Sequence, residues 1–263
     1  RIYHAKSGHP GGELSCIDII EYLFSEEMNY SLNDLNSLHR DRFILSKGHS
    51  APALYAVAAR AGIISEDSLN GLRKINHDLQ AHTHRKTTPW VEASTGSLGQ
   101  GFSFAIGEAY GLRLQGLQSR VYVMIGDGEM QEGEIWEGAM FAAHHSLDNL
   151  CAFVDYNKLQ SDDQNSNIIG LEPLVQKWTA FGWNVMEIDG HLNSEISEAL
   201  KNANRTVDKP SMIIANTVKG KGVSFMENVP SWHGSVKMTP EDLTSALVEL
   251  GADDLEIERA LNG

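Results

Sequence analysis

The apolar run of residues 121–125 ends in Gly126-Asp127-Gly128-Glu129, an aspartate held between two glycines. A buried β-branched run with that ending puts a carboxylate at the C-terminal edge of a strand. There the chain must turn sharply, and an anionic ligand can meet the N-terminus of the next helix. Residues 150–154 repeat the arrangement and end in Asp155-Tyr156-Asn157-Lys158-Leu159. Adjacent parallel strands would bring one carboxylate and one carboxamide oxygen together at that edge. Such oxygens suit a hard divalent cation; magnesium takes about six ligands, some of them phosphate oxygens and water. The chemistry suggested is a magnesium-diphosphate site. Gly-Asp-Gly alone is equally an ordinary tight turn, since both residues favour turns. The second strand-end cluster carries the reading beyond that.

Five loops place a histidine or small polar residue beside glycine at an element boundary: residues 6–12, 46–50, 94–101, 189–191 and 232–234. Glycine lets backbone approach a ligand closely. Amides at the start of a helix after Gly99 could cradle phosphate oxygens. Histidine titrates near neutrality and can move protons or donate to a developing alkoxide. Each of these histidines taken singly is more readily structural than catalytic. Together, beside the Asp/Asn pair, they are hard to explain by packing. His39, His77, His144 and His145 lack such surroundings and read as ordinary surface or core residues. Lys219-Gly220-Lys221-Gly222 resembles a phosphate loop but lacks the Walker A spacing, and a solvated basic turn accounts for it equally well.

To position these loops the chain needs a sheet. Strand-like runs occur at residues 42–45, 121–125, 150–154, 184–188 and 212–217. Helical spacing occupies residues 14–24, 51–61, 99–114, 135–144, 171–181 and 195–203. Alternation of continuous apolar strands with helices predicts an α/β fold, a mainly parallel sheet with helices on both faces. Residues 218–238 are glycine-rich and irregular, and residues 240–261 read as two short acidic helices, a helical C-terminal tail. One α/β domain over residues 1–263 is the simplest account.

The 35 acidic and 21 basic residues leave a formal charge of −14, with no basic stripe, which argues against a nucleic-acid binder. An anionic substrate would need only a local positive pocket. Cys16 and Cys151 stand far apart in apolar segments, as buried free thiols do in a reducing compartment. No run approaches the ~20 apolar residues of a membrane span, and no signal peptide is visible. The numbering begins at Arg1 rather than Met, so the lack of a leader weighs little, and the cytoplasm is the default expectation.

Taken together, residues 5–12, 45–56, 91–103, 126–137 and 217–234 resemble the N-terminal, diphosphate-binding half of transketolases, and most closely the separate N-terminal subunit of split transketolases. The resemblance covers essentially the whole chain. It implies thiamine diphosphate with magnesium, or calcium or manganese in its place. Asp127, the Asn157 side chain and the Leu159 carbonyl correspond to the metal ligands. Gly96, Ser97, Leu98, Gly128 and Glu129, with His49 and Asn157, correspond to residues at the cofactor. His9, His49, His82 and His233 match histidines around its reacting end, and Glu132 matches a glutamate of an inter-subunit proton network. Asp189 and His191 are looser matches without an assigned role.

The chain departs from the family pattern at three points. Tyr156 replaces the first Asn of the usual pair, which removes no metal ligand. Ala81-His82-Thr83-His84 stands where Gly-His-Pro is usual, so His82 and His84 compete for one role. Trp90 fills a position often held by glycine and would narrow the entrance. The resemblance implies transfer of a two-carbon ketol unit from a ketose phosphate to an aldose phosphate. It also implies a C-terminal partner subunit carrying the pyrimidine-binding domain, in an α₂β₂ assembly, with phosphorylated sugars as substrates and neither nucleic acid nor membrane as partner. Deoxyxylulose-phosphate synthase and 2-oxoacid dehydrogenases are competing readings that Gln131-Glu132-Gly133 and Ser231-Trp232-His233-Gly234 disfavour. A non-catalytic cofactor-binding module and a metal-dependent phosphohydrolase are the readings from other classes; the latter usually needs several carboxylates at the metal, and Asp127 with Asn157 supplies one.

Overall fold

Five strands, β1 (Arg42–Leu45), β2 (Val121–Gly126), β3 (Leu150–Tyr156), β4 (Asn184–Asp189) and β5 (Ser211–Asn216), form one sheet in the order β1-β2-β3-β5-β4. Every neighbouring pair is parallel. The computed structural model describes residues 1–234 and 236–262; Ser235, in the glycine-rich stretch, and Gly263 lie outside them. Parallel pairing forces each connection to cross a face of the sheet. The helices are α1 (Ile2–Ala5), α2 (Pro10–Tyr22), α3 (Ala51–Arg60), α4 (Gln100–Leu114), α5 (Gly133–His144), α6 (Asn165–Ile168), α7 (Leu174–Ala180), α8 (Asn193–Arg205), α9 (Pro240–Glu249) and α10 (Asp254–Asn262).

Strand residues alternate between two cores, as the two-residue repeat of a strand requires. Val121, Val123 and Ile125 of β2 pack with Phe102, Ala139 and Trp178 from α4, α5 and α7. Tyr122 and Met124 pack with Cys16, Ile19, Val57 and Leu200 from α2, α3 and α8 on the other face. The central strands are buried along their whole length, which explains their unbroken apolar sequences. Truncating Phe153 or Trp178, both fully buried, would cost about 3–5 kcal/mol.

Because all strands run the same way, the loops leaving β1, β2, β3 and β5 arrive on one edge. Gly126 stands beside Asp155, and Tyr156 beside Asn216, so residues 127, 157 and 217 follow in neighbouring loops. The loop after β1 touches the loop before α4 backbone to backbone: a Cβ at Gly48 would lie 2.8 Å from the Gly96 amide nitrogen. Gly96 itself holds φ of +146°, a conformation side chains rarely adopt.

Two boundaries differ from the sequence expectation for a physical reason. β3 runs two residues past Val154 because Asp155 and Tyr156 keep their ladder partners, Ala215 and Asn216. α2 begins at Pro10, whose fixed φ and missing N–H suit a first helical position. The two tail helices are present, α9 opening on a Thr239–Asp242 capping box.

Candidate active site

The carboxyl edge encloses a cavity of about 240 Å³. His9, Lys47, His49, Gly96, Leu98, Asp127, Gly128, Glu129, Asn157, Leu159, Lys219 and His233 are among its lining residues. Of the residues expected at a site, Ser97, His82 and Glu132 stand outside this lining. Ser97 and His82 line an adjoining open groove, and the His82 ring lies 3.0 Å from where a Cβ at Gly96 would sit. Glu132 is exposed at the start of α5. His84, the competitor of His82, is exposed and bonds Thr87 at 3.2 Å. His82 is the one packed beside Gly96.

Beneath the cavity Asp155 is fully buried and accepts hydrogen bonds from Ser15 (2.6 Å), Thr217, Lys47 and the Asn157 amide (3.3 Å). Burial alone would raise its pKa; the Lys47 ammonium outweighs that and holds it below the ordinary carboxylate range. Lys47 also donates to the Gly12 carbonyl at 3.0 Å, tying α2 to the sheet edge. Asp155 is therefore consumed by its neighbours and leaves Asp127 as the carboxylate that faces the cavity beside Asn157.

Asp127 accepts the Gly128 amide at 2.7 Å and the Lys158 amide at 2.5 Å, which fixes its rotamer. Burial, helped by the charge of Asp155, raises its pKa to about 6. A carboxylate so placed gains from a cation. Asn157 Oδ1 accepts the Leu159 amide at 3.1 Å, and the Leu159 carbonyl accepts from Lys219 Nζ at 2.6 Å. A carboxylate, a carboxamide oxygen and a backbone carbonyl on one cavity form a hard-cation donor set with room for phosphate oxygens. Among the described residues no three His, Cys, Asp or Glu side chains cluster as a metal group.

Glu129 holds the frame. One oxygen accepts from Ser46 and from the Gly99 amide (2.9 Å), the other from the Gly126 amide (2.9 Å). It thereby joins the ends of β1 and β2 to the start of α4, and its buried carboxylate is engaged by those donors.

Across the cavity His9, His49 and His233 form a triangle, their ring centroids 5.2, 5.5 and 5.9 Å apart. All are held neutral, first by burial and then by cations. Arg73 helps lower His9 to about 4, and Lys219 helps lower His233 to about 3. His49 lies well below its usual value, with Lys47 the leading charge. Burial and Arg73 lower His82 as well. Neutral imidazoles in a half-dry pocket can donate from one nitrogen and accept at the other.

Among the cavity residues not assigned from sequence are two buried lysines, Lys47 and Lys219, 2% and 1% exposed. Lys219 overturns the solvated-turn reading of its loop, whereas Lys221 is exposed. A lysine two residues past a buried strand and another directly before a glycine were the available signals. Trp90 corrects an expectation: it lines neither cavity nor groove but packs edge-on against Tyr55, 6.2 Å between ring centroids. Tyr156 points to the opposite face from Asp155 and donates to Glu172 at 2.5 Å. His191 also stands apart, its Nδ1 2.7 Å from Asp18 and its Nε2 accepting the Val218 amide at 2.9 Å.

Residues 1–258 match the family described as transketolase, thiamine diphosphate binding domain. The chain belongs to the transketolase family. It is 45% identical over 243 residues to one subunit of the 6-deoxy-6-sulfo-D-fructose transketolase of a Clostridium species, covering 92% of this chain and 88% of that one. It is 36% identical to one subunit of the apulose-4-phosphate transketolase of Phocaeicola vulgatus, covering 100% and 92%. Human transketolase is 40% identical over 93% of this chain, which spans 38% of the human protein. The solved transketolase of Campylobacter jejuni superposes with a TM-score of 0.91 at 29% identity, covering 97% of this chain and 41% of that one. The chain thus spans about two-fifths of that transketolase and has the length of the bacterial transketolase subunits. It is the thiamine diphosphate-binding part of a transketolase-type enzyme. Among the described residues no helix is long and apolar enough to cross a membrane.

Proposed function

We propose that this chain is the diphosphate-binding subunit of a two-chain transketolase, active with thiamine diphosphate and a divalent cation in the cytoplasm. The observation that carries the proposal is the cavity itself, with Asp127, Asn157 and the Leu159 carbonyl across from three neutral histidines. Asp127, Asn157 and Leu159 would hold magnesium, or calcium or manganese. Gly96, Ser97, Leu98 and Gly128 would flank the cofactor. When bound, thiamine diphosphate supplies a thiazolium carbon that stabilises the carbanion left by carbon–carbon cleavage.

The chain's own residues do the rest. Asp127 neutralises the cation from a carboxylate whose rotamer two backbone amides already fix. His9, His49 and His233, with His82 in the adjoining groove, rest neutral, bond sugar hydroxyls, and can take a proton at the bare nitrogen while giving one up from the other. Glu132, exposed beside the cavity loops, is available to a second chain. Exposed Phe104, Met140 and Phe141 on α4 and α5 support burial of that face by a partner, which we take to be the pyrimidine-binding subunit of an α₂β₂ enzyme. Relatives of matching length that are subunits of larger enzymes support the same reading. The substrates are phosphorylated or comparably anionic ketoses and aldoses. A phosphohydrolase is disfavoured because Asp155 is spent on Lys47, leaving one carboxylate for a metal.

Calorimetric titration of the co-purified subunits tests the site. Asp127→Ala should abolish magnesium-dependent binding of thiamine diphosphate; normal affinity in that variant would sink the assignment. Ketol transfer assayed with the chain alone and with its partner tests the split.

A further inference from the structure

The strap of residues 217–234 carries a lysine and a histidine that meet in the cavity wall. Lys219 Nζ lies 2.6 Å from His233 Nδ1 and 2.6 Å from the Leu159 carbonyl oxygen. The strap holds Lys219 there from both sides. The preceding Val218 amide bonds His191 at 2.9 Å, and the Lys219 carbonyl accepts the Asn228 amide at 2.9 Å. The Gly220 amide bonds the Gly11 carbonyl at 2.9 Å, pinning the turn to the start of α2. Among the described residues Lys219 has no carboxylate within ion-pair distance.

An ammonium group has three N–H donors and no lone pair. Towards His233 it can only donate, so Nδ1 must be the bare nitrogen and the ring proton must sit on Nε2. The Nε2 atom makes no hydrogen bond among the described residues, and His233 lines the cavity. We infer that Lys219 is a positioning residue that fixes His233 as the Nε2–H tautomer, so that the imidazole offers the cavity a donor, while the same ammonium holds the Leu159 carbonyl in register. Arg73 stands in the same relation to His9, at the longer distance of 3.5 Å from Nδ1. His191 is wired the other way. Its Nε2 accepts a backbone amide, so its proton sits on Nδ1 and goes to Asp18. The strap is thus held by one histidine, His191, whose neighbours use both nitrogens, and itself carries a second, His233, whose neighbour uses one and leaves the other free. This inference builds on the proposed function only for its consequence, donation to substrate or diphosphate oxygen.

The test is the tautomer itself, read by two-bond proton–nitrogen correlation on the full chain with labelled histidine, near pH 7. His233 is assigned by its loss in His233→Asn. The wild-type chain should show His233 Nδ1 as an unprotonated nitrogen and Nε2 as protonated. Lys219→Met should raise the Nδ1–H fraction of His233 severalfold, and Lys219→Arg, which keeps a donor, should restore the wild-type pattern. A wild-type His233 protonated on Nδ1, or a Lys219→Met spectrum unchanged from wild type, overturns the inference. If Lys219→Met does not fold, the wild-type spectrum decides alone. No cofactor, partner or sugar enters this measurement, so its failure is separable from a failure of the ketol-transfer assay.

Discussion

Lys47 and Lys219 reach one cavity from different strand ends, both almost wholly buried, and they serve opposite purposes. Burial by itself would lower Lys47, but the Asp155 carboxylate more than reverses it and keeps the ammonium charged. Burial lowers Lys219 to about 8, because Asp127 and Asp155 act on it only at a distance. The floor of the site is a closed network in which Ser15, Lys47, Thr217 and Asn157 all spend a donor on Asp155. The strap is an open one, with a cation whose partners are a carbonyl and an imidazole. A closed network is structural and rigid; an open one keeps chemistry available at the cost of stability.

Breaking the floor should have the largest effect. Lys47→Met leaves Asp155 buried without its cation and should cost about 3–5 kcal/mol in urea unfolding, with much of the loss recovered in a Lys47→Met, Asp155→Leu double variant. A loss as small as that of Lys219→Met would end the distinction between the two lysines. The bond from the Val218 amide to His191 comes next. His191→Phe removes the bond to the Val218 amide and should cost about 1–2 kcal/mol, with faster amide exchange in the strap than in β2 or β3. Lys219→Met should change stability by less than about 1 kcal/mol, since removing a buried charge without a carboxylate offsets two lost hydrogen bonds.

Acidity sharpens the comparison further. His9 and His233 have folded pKa values of about 4 and about 3, below the ordinary 6.5. The unfolded chain binds those protons first, so their contribution is complete above about pH 6.5 and is lost as pH falls. Glu13 and Asp127 are raised by burial to about 7 and about 6, so the native state binds their protons first and gains stability as pH falls. The two sets oppose, with His49 and His82 adding to the first and Glu129 to the second, so the wild-type urea midpoint should move less between about pH 7 and about pH 5 than either set alone would move it. Glu13→Gln should uncover the histidine slope, making the chain measurably weaker at the acid end; an unchanged slope would refute the balance. The smallest effect is expected at His84, where alanine should leave stability within about 0.5 kcal/mol of wild type. His82→Ala should by contrast lower turnover of the reconstituted enzyme.

Much of the architecture was legible. The strand at residues 42–45 and the two tail helices lie where the sequence put them, the first as an apolar run and the others as two short acidic helices, because each signal is local. The end of β3 was not, since Asp155 and Tyr156 look like the start of a loop. A buried aspartate inside a strand is tolerable only through Lys47, a partner 108 positions away, and no window of sequence contains both. Contacts outside the local window, though at shorter separations, also hid Lys219 and misplaced Trp90. A lysine beside glycine looks solvated until Leu159 and His233 are brought to it, and a tryptophan near motif residues looks like an entrance until Tyr55 claims its face. That the His82 ring, and not that of His84, packs beside Gly96 was likewise invisible in Ala81-His82-Thr83-His84.

By itself the sequence determined the α/β class, the family and the set of residue types at the carboxyl edge, because these follow from local periodicity and from motifs whose spacing is short. Only the tertiary structure decided which charges are spent and which are free. Asp155 and Asp127 differ by one cation, and His191 and His233 differ by which nitrogen meets a donor. Those differences arise from contacts between segments far apart in the chain, where burial strips away water and makes the identity of a single neighbour decisive.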